Sequence, residues 1–133
     1  MTFSALEIDP TILRQTNPSY FTATAFSDAA LIALNKEQSK AEFLIDCYNI
    51  LQIQNDSDKL TSLNYLIDGF EETFQNILML CQLKNHYNSL GRSTQNQELY
   101  KFYDAEYQKD LQTLSSLKTT SFAAISTPRV SRG

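Results

Sequence analysis

A chain of 133 residues with only three glycines and three prolines has room for one domain with a modest core and few places to break a helix. Its net charge of −4 sets aside the basic stripe expected of a nucleic-acid binder. Its purely apolar runs, such as residues 29–34 and 77–81, are far short of the ~20 residues that a membrane span requires.

Residues 1–26 read as an extended N-terminal arm. Pro10 and Pro18 interrupt any helix there, and Thr16, Asn17, Pro18 and Ser19 mark a turn. Short apolar pieces (Phe3, Leu6 and Ile8, then Ile12 and Leu13, then Tyr20, Phe21 and Phe26) have the look of anchors laid on another surface. Met1 to Glu7 holds no positive charge ahead of an apolar stretch, so it does not read as a signal peptide and an intracellular assembly is expected.

A helical domain is expected over 27–118. Ser27 and Asp28 can cap a first helix through Leu34, and the polar stretch 35–39 reads as a break or a solvent-facing turn. Ala41, Leu44, Cys47, Tyr48 and Leu51 then share one face of a second helix, closed by the polar cluster at 54–57. The sequon at Asn55 has meaning only in a secreted chain.

From Asp58 to Gly91, Leu60, Leu63, Ile67, Phe70, Phe74, Ile77, Cys81 and Lys84 recur at steps of three and four, and every position but the last is apolar. Asp58 is suited to cap this helix, whose length at about 1.5 Å per residue is roughly 45–50 Å. Gly69 sits inside the pattern at a cost of about 1 kcal/mol against alanine. Either the helix kinks there, making two collinear pieces, or a neighbour packs closely. Gly91 closes the helix as a residue just past a C-terminus should.

Thr94 and Gln97 fit a capping box for a last helix running to about Lys118, with Leu99, Phe102 or Tyr103, Tyr107, Leu111, Leu114 and Leu117 or Lys118 facing inward. The short turn at Arg92 and Ser93 makes the last two helices antiparallel neighbours. The fold class expected is therefore all-α: a bundle of three to four helices with a long central hairpin and extended N- and C-terminal arms. Leu63, Ile67, Phe70, Phe74, Ile77, Cys81, Leu99, Tyr103, Tyr107 and Leu111 form its expected core.

The C-terminal tail, 119–133, has no acidic residue and no helical period. Residues 1–110 hold eight basic and fifteen acidic side chains, whereas Lys118, Arg129 and Arg132 give the last stretch a charge of +3. The segment is either a solvated polar tail or a partner-binding arm. As an arm it docks Phe122, Ile125 and Val130 in pockets and sets Arg129 and Arg132 on acidic groups.

Several chemistries lack their residues. The three glycines, Gly69, Gly91 and Gly133, form no phosphate-binding loop. His86, the single histidine, has no partner at metal-ligand spacing or near a nucleophile elbow, and reads as an ordinary helix-surface residue. Cys47 and Cys81 lie on apolar faces and read as reduced, inert thiols. The carboxylate pairs Glu71 with Glu72 and Asp104 with Glu106 read as solvated helix faces. Tyr100, Tyr103 and Tyr107, with a single lysine (Lys101) among them and two acidic residues, read as a packing stripe. No catalytic residue, cofactor or metal site is expected, and no enzyme.

Residues 80–91, Leu-Cys-Gln-Leu-Lys-Asn-His-Tyr-Asn-Ser-Leu-Gly, followed by 98–111, Glu-Leu-Tyr-Lys-Phe-Tyr-Asp-Ala-Glu-Tyr-Gln-Lys-Asp-Leu, resemble the C-terminal helix hairpin of head–tail connector (adaptor) proteins of tailed bacteriophages. In that family a long helix ends near an aromatic residue and a polar turn, and a second helix and an extended tail follow. The resemblance covers about a quarter to a third of the chain and uses common residue types; the N-terminal arm and first helices have no counterpart in it. It implies a homo-oligomeric ring in the virion, commonly of twelve copies, between a portal-like protein and tail proteins, with the tail inserted against the portal. A small acidic helical binding module in the cytoplasm, an inhibitor or regulatory subunit, is the competing reading.

Overall fold

A computed structural model of the chain describes residues 1–52 and 59–117. Among the described residues the structure is all-α, with a single 3₁₀ turn (Phe3–Ala5) and six helices: α1 (Pro10–Thr16), α2 (Asp28–Ile32), α3 (Lys36–Leu51), α4 (Lys59–Gly69), α5 (Glu71–Ser89) and α6 (Thr94–Gln112). The expected cap at Asp58, the polar cluster at 54–57 and the helix end at Lys118 lie outside the described residues, as does the whole tail.

Residues 1–26 are not an extended arm. Pro10 starts a helix rather than breaking one, because it stands at the first helical position, where its missing N–H has no partner to lose. Asp9 caps that helix, its carboxylate accepting from Thr11 N at 2.9 Å. The apolar pieces turn inward onto the same chain. Phe3, Leu6, Ile8, Leu13 and Phe21 are all buried, and the Phe3 ring lies 5.9 Å from that of Phe43 on α3. Polar bonds fix the approach. Lys40 Nζ donates to the carbonyls of Ser4 (2.9 Å) and Leu6 (3.0 Å), and Asn64 Oδ1 accepts from Phe3 N at 2.8 Å.

Ser27 caps α2 as expected, accepting from Ala30 N at 3.1 Å. The expected break falls at the first residue of the polar stretch, where left-handed Asn35 (φ 49°) turns the chain, and the rest of the stretch belongs to α3, which begins at Lys36. The inward face of α3 is also rotated from the expected one. Ser39, Phe43, Cys47 and Leu51 are buried, Leu44 and Tyr48 only half-buried, and Ile45 faces out at 60% exposure.

The long central pattern divides at one residue. Phe70 leaves helical geometry (φ −143°, ψ 46°) and caps α5, while its N–H still reaches the Leu66 and Ile67 carbonyls at 3.1 Å. A Cβ on Gly69 would meet nothing within 4 Å, so the glycine marks the break and not a close neighbour. Past α5, Gly91 takes φ +108°, a conformation that strains any other residue. The cap of α6 is Ser93, accepting from Asn96 N at 3.1 Å, one residue ahead of the expected Thr94 and Gln97 box.

Helices α5 and α6 run antiparallel, with Tyr87 stacked on Tyr103 at 5.8 Å and Lys84 within 3.8 Å of Asp104. Of the expected core, Leu63, Ile67, Phe74, Ile77, Cys81, Tyr103, Tyr107 and Leu111 are buried, whereas Phe70 and Leu99 are half-buried. Leu60, first in the long stripe, is half exposed, and Phe102 yields the inward position to Tyr103. Both cysteines are buried free thiols.

Candidate functional site

Residues 81–87 of α5 are buried on every side. Residues 82–87 (Gln, Leu, Lys, Asn, His and Tyr) all lie inside, four of them polar. A helix covered all round normally carries apolar residues throughout, and polar groups at such depth require partners. Here the polar side chains reach three parts of the chain: α3, the α2–α3 junction and the N-terminal segment.

Toward α3, Lys84 Nζ lies 2.6 Å from Glu42 Oε2, with the lysine side chain only 5% exposed and the glutamate 33%. Asp104 of α6 stands farther off at 3.8 Å, and the Tyr107 ring lies under the ammonium at 5.2 Å. Asn85 Nδ2 donates to Ser39 Oγ (3.0 Å) and Glu42 Oε1 (3.1 Å). The Cys81 thiol sits 3.6 Å from the Ser39 carbonyl. Beside them, Tyr107 OH donates to Asp46 Oδ2 at 2.6 Å. The cluster therefore joins α3, α5 and α6 by charge-assisted bonds.

Burial pulls the Lys84 ammonium down, but the Glu42 hydrogen bond and the surrounding negative charges outweigh it, so the group holds its proton more tightly than usual. Burial pushes the Glu42 carboxyl up, yet the bonds from Lys84 and Asn85 leave it below its ordinary value. Burial and the Glu42 charge push the Cys81 thiol up to about 12, and burial likewise raises Cys47. Such thiols are poor nucleophiles. Tyr107 is raised by burial and by donating to Asp46. The charges are locked in mutual pairs, an arrangement suited to holding three helices in register.

Toward the α2–α3 junction, Gln82 Nε2 donates to the carbonyls of Leu34 (2.7 Å) and Ile32 (3.2 Å), satisfying the end of α2. Toward the N-terminal segment, His86 Nε2 lies 2.9 Å from Tyr20 OH. His86 is therefore no surface residue. It is 7% exposed, and burial pushes its pKa below the ordinary imidazole value.

A surface pocket of about 320 Å³ lies at the hairpin turn, lined by Tyr87, Asn88, Gly91, Arg92, Gln97 and Tyr100. Two shallower ones open at the start of α3 and between α5 and α6, beside Lys36 and Asp110 respectively. None of these three includes Lys84, Glu42 or Cys81 in its lining. Among the described residues no group of three or more His, Cys, Asp or Glu side chains could hold a metal ion, and no helix is long and apolar enough to cross a membrane.

The residues expected to bind a partner, Phe122, Ile125, Arg129, Val130 and Arg132, lie outside the described residues. The polar network was not expected from the sequence, although one signal pointed to it. Lys84 closes an otherwise apolar stripe, and a lysine in such a place needs a buried carboxylate. Comparison with known proteins adds no relative to this geometry: no protein-family model, no curated protein and no solved structure matches the chain.

Proposed function

We propose that the chain is a structural subunit of a larger protein assembly, of the kind found in head–tail connectors of tailed bacteriophages. In this reading copies form a homo-oligomeric ring in the virion, between a portal-like protein and the tail. The basic 119–133 segment is the docking arm, with Phe122, Ile125 and Val130 in pockets and Arg129 and Arg132 on carboxylates of the partner. The observation that carries the reading is the α5–α6 hairpin. The residues that resemble the connector family form one antiparallel unit, stacked at Tyr87 and Tyr103 and braced to α3 through Lys84 and Glu42. Exposed apolar side chains at Ile45, Leu60, Tyr65, Leu90 and Phe102 offer contact surface for neighbours.

The alternative, a small acidic helical binding module acting as a monomer or dimer, is favoured by a different observation. Residues 1–26 spend their apolar anchors on their own chain, so one of the two arms expected to grip a neighbour is accounted for within the subunit. Native mass spectrometry of the purified chain separates the two. A particle of many copies, or co-purification with capsids, supports the ring; one or two chains under all conditions overturns it. Deleting 119–133 should leave the circular dichroism spectrum helical and abolish incorporation into the assembly. Undiminished incorporation would sink the docking role.

A further inference from the structure

The segment joining α1 to α2 packs on α5 at two rings, His86 and Tyr87. Tyr20 OH lies 2.9 Å from His86 Nε2. Around the imidazole stand the rings of Tyr87 (5.3 Å between centroids), Tyr20 (5.8 Å), Phe21 (6.0 Å) and Phe26 (6.4 Å). Phe21 and Phe26 in turn pack on Tyr20 and on each other. The single histidine of the chain is thus the hub of an aromatic cluster drawn from two distant stretches.

The charges facing this hub offer little to a second cation. On the N-terminal side, Arg14 Nη1 donates to the carbonyls of Phe21 (2.7 Å) and Phe26 (3.2 Å), so a guanidinium already sits in the same loop. Its own counter-ion, Asp28, is taken up by Nη2 at 2.7 Å. On α5, Lys84, two residues before His86, is held by Glu42 on α3. From α6 comes Tyr103, an uncharged ring stacked on Tyr87. Among the described residues no carboxylate forms an ion pair with His86.

We infer that protonation of His86 releases residues 17–26 from α5, making this contact an acid-sensitive latch, independent of the assembly the chain serves. In the neutral tautomer that carries its proton on Nδ1, Nε2 accepts from the Tyr20 hydroxyl. Protonation makes both ring nitrogens donors, so the hydroxyl can then only accept, and in either tautomer a charge enters a largely dry shell. Leaving the shell restores hydration to the imidazolium. Burial holds the closed-state pKa below the ordinary value, so the latch is secure above that value. It weakens as pH falls toward the closed-state pKa and reaches a plateau below it, the ratio of open to closed growing up to tenfold per unit in between. Opening uncovers Phe21, Phe26 and the α5 surface around His86 and Tyr87.

The test uses the full chain. One imidazole resonance in the nuclear magnetic resonance spectrum reports the pKa directly, and hydrogen exchange at about pH 7.5 and about pH 5 reports the latch. The amides to follow are Phe21, bonded to the Asn17 carbonyl at 2.9 Å, and Phe26, bonded to that of Thr22 at 2.9 Å. The imidazole should titrate below about 6.5. On acidification the protection factors of these two amides should fall, while those in α6 hold. His86→Gln, which keeps an acceptor for Tyr20 but cannot charge, should remove the difference between the two conditions. An imidazole titrating at or above the ordinary value, which would mean that the rings stabilise the cation, overturns the inference without need of any variant. So does an acid-induced loss that persists in His86→Gln, or one shared equally by α6.

Discussion

Replacing Glu42 by methionine should cost the fold more than replacing Lys84, although the two residues form one ion pair. The asymmetry follows from their burial. Without Lys84, the Glu42 carboxylate keeps the Asn85 amide at 3.1 Å and is one-third exposed, so water can take the place of the ammonium. Lys84→Met, which also buries a methionine of similar length, should cost about 1–2 kcal/mol. Without Glu42, an ammonium only 5% exposed is left with Asp104 at 3.8 Å and the face of Tyr107. Glu42→Met should therefore approach the ~3–5 kcal/mol typical of a buried charge that has lost its partner. The double variant should be more stable than Glu42→Met alone, giving a coupling energy of about 2 kcal/mol. Urea unfolding followed by circular dichroism, extrapolated to water, measures all three. A Lys84→Met loss equal to or larger than that of Glu42→Met would refute the assignment of Lys84 as the more deeply desolvated partner. A coupling below about 0.5 kcal/mol would show that the pair behaves as an ordinary surface contact.

Phe74→Ala should cost about 3–5 kcal/mol, since the ring is fully buried against Phe43; a loss under about 1 kcal/mol would mean the inward face of α5 is wrongly placed. Cys47 and Cys81 should resist alkylation in the native chain and react fully in denaturant. Rapid native labelling, or an unreduced chain whose mass shows a disulfide, contradicts this. Gly69→Ala should raise stability by roughly 0.4–1 kcal/mol, because the added methyl meets nothing and restricts the unfolded chain. A loss in urea unfolding would show that the α4–α5 break depends on the glycine itself.

What could be read in the sequence is what local spacing controls. The α5–α6 hairpin follows from an apolar period, a glycine just past a helix end and a capping signal placed one residue late, at Thr94 instead of Ser93, each acting within a few residues. The face of α6 was legible because Tyr103, Tyr107 and Leu111 repeat at four. The face of α3 was not. Phe43 and Leu44 are adjacent apolar residues, and only the arrival of Phe3, Phe74 and Tyr107 around Phe43 decides between them. The polar cluster is hidden for a related reason. Glu42 and Lys84 are 42 residues apart, and a hydropathy pattern scores each as a surface residue until the fold brings them together.

Pro10 teaches the same lesson in reverse. Its ring forbids a helical position only where an N–H would otherwise be bonded; with Asp9 ahead of it as a cap, the same ring favours a helix start. Once α1 forms, the aromatic residues after it, Tyr20, Phe21 and Phe26, need a surface, and His86 and Tyr87 of α5 supply one. The N-terminal segment is thereby part of the core rather than a reach toward a neighbour. This shifts the burden of assembly in the connector reading. The grip on other subunits must come from the 119–133 segment and from outward apolar side chains such as Ile45 and Phe102. If a ring forms, charging or truncating those residues should disrupt it, whereas altering Phe3 or Phe21 should act first on the stability of the single subunit.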